Sequence, residues 1–238
     1  MSAVRSSALH TDPATETSAP NFNSLARSYR WMEYATFGPW LWWCRRYFLP
    51  ALKNSRRAVI LGDGDGRFTA RLLATNPAIH VDAVDASPSM LQSLLQNAGP
   101  RAARVSVHWA DARRWQPTAS VHDQSYDLIV THFFLDCLTT KEVRDLAERL
   151  RVSLGSDALW VVSEFAAPRN WFGHVVARPI IAALYAAFGL LTGLRVRALP
   201  DYDRVLRESG FRLGKRKQWL GGLLVSELWS FAHKPPPL

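Results

Sequence analysis

The sequence predicts an α/β fold: a seven-stranded, mostly parallel sheet with helices on both faces, closed by an antiparallel hairpin. Three observations predict it. Short apolar, β-branched runs alternate with amphipathic helical stretches from residue 58 to about 209. A glycine-rich turn, GDGDG at 62–66, joins the first such run directly to a helix. The chain then ends on two strand-like runs joined through Gly221 and Gly222, a hairpin signal.

The elements follow in order. Residues 1–21 are rich in Ser, Thr, Ala and Pro without apolar periodicity, and read as a disordered leader. Residues 22–56 form an aromatic-rich segment, including Tyr29, Trp31, Tyr34, Trp40, Trp42 and Trp43, with helical spacing at 25–29 and 41–56 broken at Gly38-Pro39. Such a pair of helices packs on the body of its own domain, serves as a lid over the active site, or forms a membrane-facing surface. The α/β domain spans 57–238. AVIL at 58–61 is a strand buried on both faces, and Phe68, Ala70, Leu72 and Leu73 set the following helix. HVDAVD at 80–85 is the second strand. Ser87 caps the next helix and Pro88 occupies its first position. VSVHW at 105–109 and YDLIV at 126–130 are the third and fourth strands. An amphipathic helix over 139–154 stops at Gly155, and ALWVVSEF at 158–165 is the fifth strand. A helix closes at 205–209 before the strands 211–217 and 223–231.

An apolar helical insertion at 172–196 interrupts this alternation. Its core, 180–191, is apolar around most of a helix. The stretch 175–194 holds about 15 apolar residues, short of the roughly 20 that span a bilayer. It reads as a buried or lid helix, with an interfacial, membrane-touching helix as the alternative, helped by Arg195 and Arg197.

Composition narrows the functional classes. The net charge of +9 favours anionic partners, but the basic residues fall in small scattered clusters, which argues against nucleic acid. Cys44 and Cys137 form no C-x-x-C pair and the seven histidines are dispersed, so no metal is expected. The N-terminus lacks the layout of a signal peptide, which makes a cytoplasmic location the default, with peripheral membrane contact as its variant.

The chemistry centres on the glycine turn. A dinucleotide fingerprint would place its third glycine at position 67, which is Arg67. Asp63 and Asp65 would also repel a pyrophosphate by several kcal/mol, by rough Coulomb estimate. A ligand carrying sulfonium and ammonium groups escapes that repulsion. The stretch resembles motif I of the class I S-adenosylmethionine (SAM)-dependent methyltransferases, which have a Rossmann-like sheet, and the resemblance extends over about 29–231.

The resemblance implies SAM as cofactor and a set of contacts. Gly62, Asp63, Gly64 and Gly66 would cradle the methionine part, and Asp85 would accept hydrogen bonds from the ribose hydroxyls. VDASPSM at 84–90 looks like the family's D-x-S-x-x-M, in which Ala86 and Met90 line ribose and adenine. Asp111 and Ala112 would meet the adenine amine, and Thr131 the methionine portion. His132 and Asp136 are the candidate bases for a hydroxyl acceptor, with Glu164 a third. One departure stands out: the acid usual two residues before the first glycine is Ile60 here. The variable, apolar segments imply a small, hydrophobic or lipid-like acceptor. The competing readings are a nicotinamide-dependent oxidoreductase and a non-catalytic module of the same fold docking at a membrane or partner.

Overall fold

A computed structural model describes residues 39–117, 125–168, 179–183 and 199–231, together with Trp171, Gly173 and Val175. The leader, the 25–29 helix and most of the 172–196 insertion, including 184–191, lie outside the described residues. The elements are α1 (Trp40–Arg46), β1 (Arg57–Leu61), α2 (Arg67–Thr75), β2 (His80–Asp85), α3 (Pro88–Ala98) and β3 (Val105–Trp109). They continue with β4 (Tyr126–His132), α4 (Thr140–Arg151), β5 (Leu154–Phe165), α5 (Tyr202–Glu208), β6 (Phe211–Trp219) and β7 (Leu224–Phe231).

The seven strands form one sheet in the order β3-β2-β1-β4-β5-β7-β6. β1 to β5 run parallel, and β7 enters antiparallel between β5 and β6. The chain goes outward from β1 to β3, then returns to lay β4 against the other side of β1. That reversal opens a crevice at the carboxyl ends of β1 and β4, the usual place for a ligand in an open α/β sheet. The central strands are buried on both faces, which explains why their sequences read as continuous apolar runs.

Two apolar layers sandwich the sheet. On one face Phe68, Leu72 and Leu73 of α2 and Leu94 of α3 pack on Ile60, Val81 and Val130. On the other, Val143, Leu146 and Leu150 of α4 and Val205 and Leu206 of α5 pack on Val59, Ile129, Trp160 and Val162. A third, smaller cluster caps the carboxyl ends of β4 and β5 and the amino end of the antiparallel β7. Leu41 and Cys44 of α1 meet Phe133, Ile181, Leu223 and Leu224 there.

Two element boundaries differ from the sequence reading. The helix expected over 139–154 ends at Arg151, and Gly155 lies inside β5 instead of ending a helix. The start is as the local signals dictate: Thr139 and Glu142 form a reciprocal capping box. At the other end the ladder prevails, because Tyr126 pairs with Leu154 and donates its N–H to the Ser153 carbonyl. The helix expected over 41–56 stops at Arg46 and gives way to a 3-10 turn, Leu49–Leu52, containing Pro50, which has no N–H to continue an α-helix.

Among the described residues no helix is long and apolar enough to cross a membrane. The same residues contain no group of His, Cys, Asp or Glu arranged to hold a metal ion.

Candidate functional site

The glycine turn leaves the carboxyl end of β1 and is held against β2 by the Gly62 N–H donating to the Val84 carbonyl at 2.9 Å. Gly62, Gly64 and Gly66 all have left-handed backbone, with φ of 65°, 63° and 76°. Their roles separate on close approach. A Cβ on Gly62 would stand 2.5 Å from Cδ2 of Phe134, and one on Gly66 would stand 2.6 Å from Cα of Leu94. These two glycines allow packing. A Cβ on Gly64 would meet nothing within 4 Å, so this part of the turn faces open space.

Ile60 is buried in the layer with Phe68 and Val130, so an acid there would be desolvated in core. Asp63 takes over part of the organisation from inside the turn. Its Oδ2 accepts from the Thr69 N–H at 2.9 Å and the Thr69 hydroxyl at 2.6 Å, supplying the side-chain cap that Gly66 cannot give α2. Asp65 pairs with Nε of Arg67 at 3.1 Å, and its carbonyl accepts from Asn97 of α3 at 2.8 Å.

Asp85, at the tip of β2, accepts from the Ser87 N–H at 2.8 Å and from the Gly64 N–H. Burial raises both Asp85 and Asp63 from about 3.8 to about 6; Asp63 adds repulsion to Asp85, and Asp65 adds it to Asp63. The turn therefore presents a concentration of negative potential. That fits a ligand bearing ammonium and sulfonium charge and opposes a pyrophosphate.

The other expected contacts are placed unequally. The Ala86 carbonyl accepts from the Trp109 indole at 3.1 Å, and Met90 is buried in the first turn of α3 behind the Ser87 cap. Asp111 follows β3, but its carboxylate is engaged by the backbone and guanidinium of Arg113. Against the opposing effect of burial, those bonds hold it below the usual carboxylate range. Ala112 packs into the α4 layer. The Thr131 side chain is also committed to that layer, accepting from the Trp160 indole at 2.9 Å, which leaves its backbone as the part nearest the crevice.

His132 projects to the opposite face from Thr131, with its ring edge-on to Phe68 at 4.4 Å. It is 3% exposed, and neither ring nitrogen has a hydrogen-bond partner among the described residues. Burial, aided by the Arg45 charge, pushes its pKa well below 6.5, so the imidazole is neutral at physiological pH. Asp136 lies in the 3-10 turn Leu135–Cys137, and burial raises its carboxyl to about 6. No hydrogen bond joins it to His132.

Glu164, offered by the sequence as a third base, has a different place. Its Oε1 accepts from the N–H groups of Phe134 and Leu135 at 3.0 and 2.7 Å. Burial and the neighbouring Asp136 charge push its carboxyl well above the usual range. Glu164 thus clamps the turn after β4, in which Phe133 holds a left-handed φ of 52°, and seats Phe134 against Gly62. Arg45 escaped the sequence reading altogether. Its Cζ lies 5.3 Å from the Phe133 ring centroid, and its charge acts on Asp63 and His132. A cation in the last turn of an aromatic helix carries no local signal that it will reach a site remote in sequence.

Comparison with known proteins agrees with this geometry. Residues 59–156 match a family described as a methyltransferase domain. The chain is 28% identical over 155 residues to malonyl-[acyl-carrier protein] O-methyltransferase of Paenibacillus sp. (strain JDR-2), covering 63% of this chain and 53% of that protein. The chain thus spans about half the length of the curated relative it matches.

Among solved structures, the mitomycin 7-O-methyltransferase MmcR superposes with a TM-score of 0.65 at 15% identity, over 88% of this chain and 60% of that one. The SAM-dependent methyltransferase SibL gives 0.64 at 20%, over 87% and 58%. The N-methyltransferase NodS from Bradyrhizobium japonicum WM9 gives 0.53 at 13%, over 89% and 99%. At these identities the solved structures show a shared fold, and the family implies SAM as cofactor. Its domain match over 59–156, its sheet order and a glycine turn lined by acids make the chain similar to the class I SAM-dependent methyltransferases.

Proposed function

We propose that this protein transfers a methyl group from SAM to a small acceptor with an apolar body. The observation that carries the proposal is the turn of three left-handed glycines with Asp63, Asp65 and Asp85 gathered around it. In this reading Gly62, Asp63, Gly64 and Gly66 hold the methionine part and Asp85 the ribose. Ala86 and Met90 flank the adenine, and Asp111 and Ala112 meet its amine, with Asp111 held in place by Arg113. The backbone of Thr131 lines the methionine side. SAM supplies a methyl carbon already activated by its sulfonium, so the protein mainly positions the nucleophile and excludes water.

For a hydroxyl acceptor, neutral His132 takes the proton, with Asp136 as the alternative base. Its two buried nitrogens, without a hydrogen-bond partner among the described residues, favour His132 over Asp136. The apolar character of the acceptor is supported by the third cluster, where Phe133, Phe165, Trp40, Ile180 and Ile181 line the end of the sheet beside the crevice. In this reading the acceptor is enclosed between Tyr29–Trp43 and the stretch 180–191, most of which lie outside the described residues, and peripheral contact with a membrane is how a lipid-like acceptor would be reached.

The test is transfer of a radiolabelled methyl group from SAM. Label should enter an organic-extractable product when hydrophobic small molecules or lipid extracts are supplied. Label entering RNA, DNA or bulk protein instead would overturn the acceptor class. The oxidoreductase reading is disfavoured by the acids around the turn and by the family match.

A further inference from the structure

Exposed aromatic groups collect around the end of the molecule that α1 covers. Trp43 is 41% exposed and Tyr47 44%. Trp43 stacks edge-on with Trp40 at 5.0 Å, Trp40 reaches Trp219 at 6.2 Å, and Tyr47 meets Trp219 at 5.5 Å. The group therefore bridges α1 and the end of β6. Pro168 joins the same region, since a Cβ on Gly222 would stand 2.8 Å from its ring. Just beyond Pro168, Trp171 and Val175 are 72% and 66% exposed.

Cations are interleaved with these rings. Arg46 lies over Trp42 at 5.7 Å and Lys217 over Trp219 at 5.5 Å. The two segments that build the surface, 39–57 and 210–223, contain no Asp or Glu, yet carry Arg46, Lys53, Lys215 and Lys217 among other bases. Arg57 and Arg216 of these segments are paired with acids elsewhere, as are surface charges such as Lys141 with Asp145, Arg204 with Glu208 and Arg207 with Asp203. Arg46, Lys53, Lys215 and Lys217, by contrast, form no ion pair among the described residues. Tryptophan and tyrosine beside unopposed lysine and arginine is the composition that settles at an anionic bilayer surface, with rings at headgroup depth and cations on the lipid phosphates.

The position adds a reason. α1 packs on Phe133, the residue after His132, and on Leu223 and Leu224. The surface therefore lies over the end of the sheet where the site opens.

We propose that the face formed by Trp43, Tyr47, Trp219, Arg46, Lys215 and Lys217 docks the protein on an anionic phospholipid membrane, turning the acceptor entrance toward the lipid. This assignment rests on the reading of an apolar acceptor. Vesicle co-sedimentation of the full chain tests it, comparing phosphatidylcholine vesicles with vesicles in which about one third of the lipid is phosphatidylglycerol. The protein should partition onto the phosphatidylglycerol vesicles and be released by high salt.

Lys215→Glu/Lys217→Glu should weaken that partition by at least about ten-fold, since each basic residue near such a surface contributes about five-fold. Trp43→Ser/Tyr47→Ser should weaken it as well. Thermal melts and SAM titrations on the lysine variant, whose substitutions lie away from the cofactor site, establish that it is folded. Failure to bind the anionic vesicles, or binding that neither pair of substitutions changes, would overturn the assignment. Capture by an acidic carrier protein with no vesicle binding would overturn it in favour of a protein partner. Vesicle binding is read without cofactor or acceptor, so its failure leaves the methyl-transfer proposal standing, and the reverse also holds.

Discussion

Replacing Asp85 by Asn should move stability and cofactor affinity in opposite directions. The substitution keeps an oxygen to accept from the Ser87 and Gly64 N–H groups and removes only the charge. In the folded protein without ligand the carboxyl titrates at about 6, against 3.8 ordinarily, chiefly because it is buried and then because Asp63 repels it. A raised folded value stabilises fully below the unfolded pKa, and that contribution is lost as pH rises through about 6. At pH 7.5 the wild-type protein therefore carries the whole cost of a buried, repelled charge. The difference between the two values corresponds to about 3 kcal/mol. Partial exposure at the strand tip screens this to about 1–2 kcal/mol.

Asp85→Asn should accordingly melt higher at pH 7.5, by about 2–6 °C for a chain of this size, and lose that advantage near pH 4. In the proposed complex the same carboxylate accepts from the ribose hydroxyls, where a bond to a charged group contributes about 1.5–3 kcal/mol. Affinity for SAM should then fall about ten-fold or more. Differential scanning fluorimetry across pH, with and without SAM, reads both effects. A variant that melts lower without ligand at pH 7.5, or that binds SAM as well as wild type, would refute the reasoning.

Other consequences follow from the same geometry. Because Asp63 and Asp85 both titrate near 6, protonation removes the charge facing the cationic ligand. Calorimetric affinity for SAM should therefore weaken several-fold between pH 7.5 and 5.5, roughly, and a flat profile would count against the assignment. Gly62→Ala meets Phe134 as well as a left-handed backbone and should cost more stability in denaturant melts than Gly64→Ala, by about 1–3 kcal/mol. Gly64→Ala should act mainly on SAM affinity; the reverse order would contradict the division of roles. Glu164→Gln keeps an acceptor for the two backbone N–H groups and should retain activity, whereas Glu164→Leu orphans both and should destabilise by about 2–4 kcal/mol. Abolished turnover in a stable Glu164→Gln protein would make Glu164 the base after all.

Much of this architecture is legible in the sequence because it is locally encoded. The apolar runs at 58–61, 80–85 and 126–130 announce strands buried on both faces, and Ser87-Pro88 marks the start of α3. The glycine turn is legible for the same reason: strand, positive-φ residues and helix are contiguous. Gly155 was misleading, since a local stop signal lost to the ladder with β4. The site is legible only up to the strand tips. That Glu164 would clamp Phe134, that Phe134 would rest on Gly62, and that Arg45 would reach Phe133 are contacts between distant segments. Ionisable residues at such places look like bases in sequence. Only packing separates Glu164, bonded to backbone, from His132, buried with neither nitrogen partnered among the described residues.

The central claim is that the acid-lined glycine turn holds SAM, and titration calorimetry tests it most directly. Purified protein and its Asp85→Ala variant would be titrated with SAM, S-adenosylhomocysteine and NAD. The account predicts binding of SAM and S-adenosylhomocysteine to the wild-type protein, weakening by about ten-fold or more in the variant, and no binding of NAD. Binding of NAD alone, or of none of the three, would contradict it.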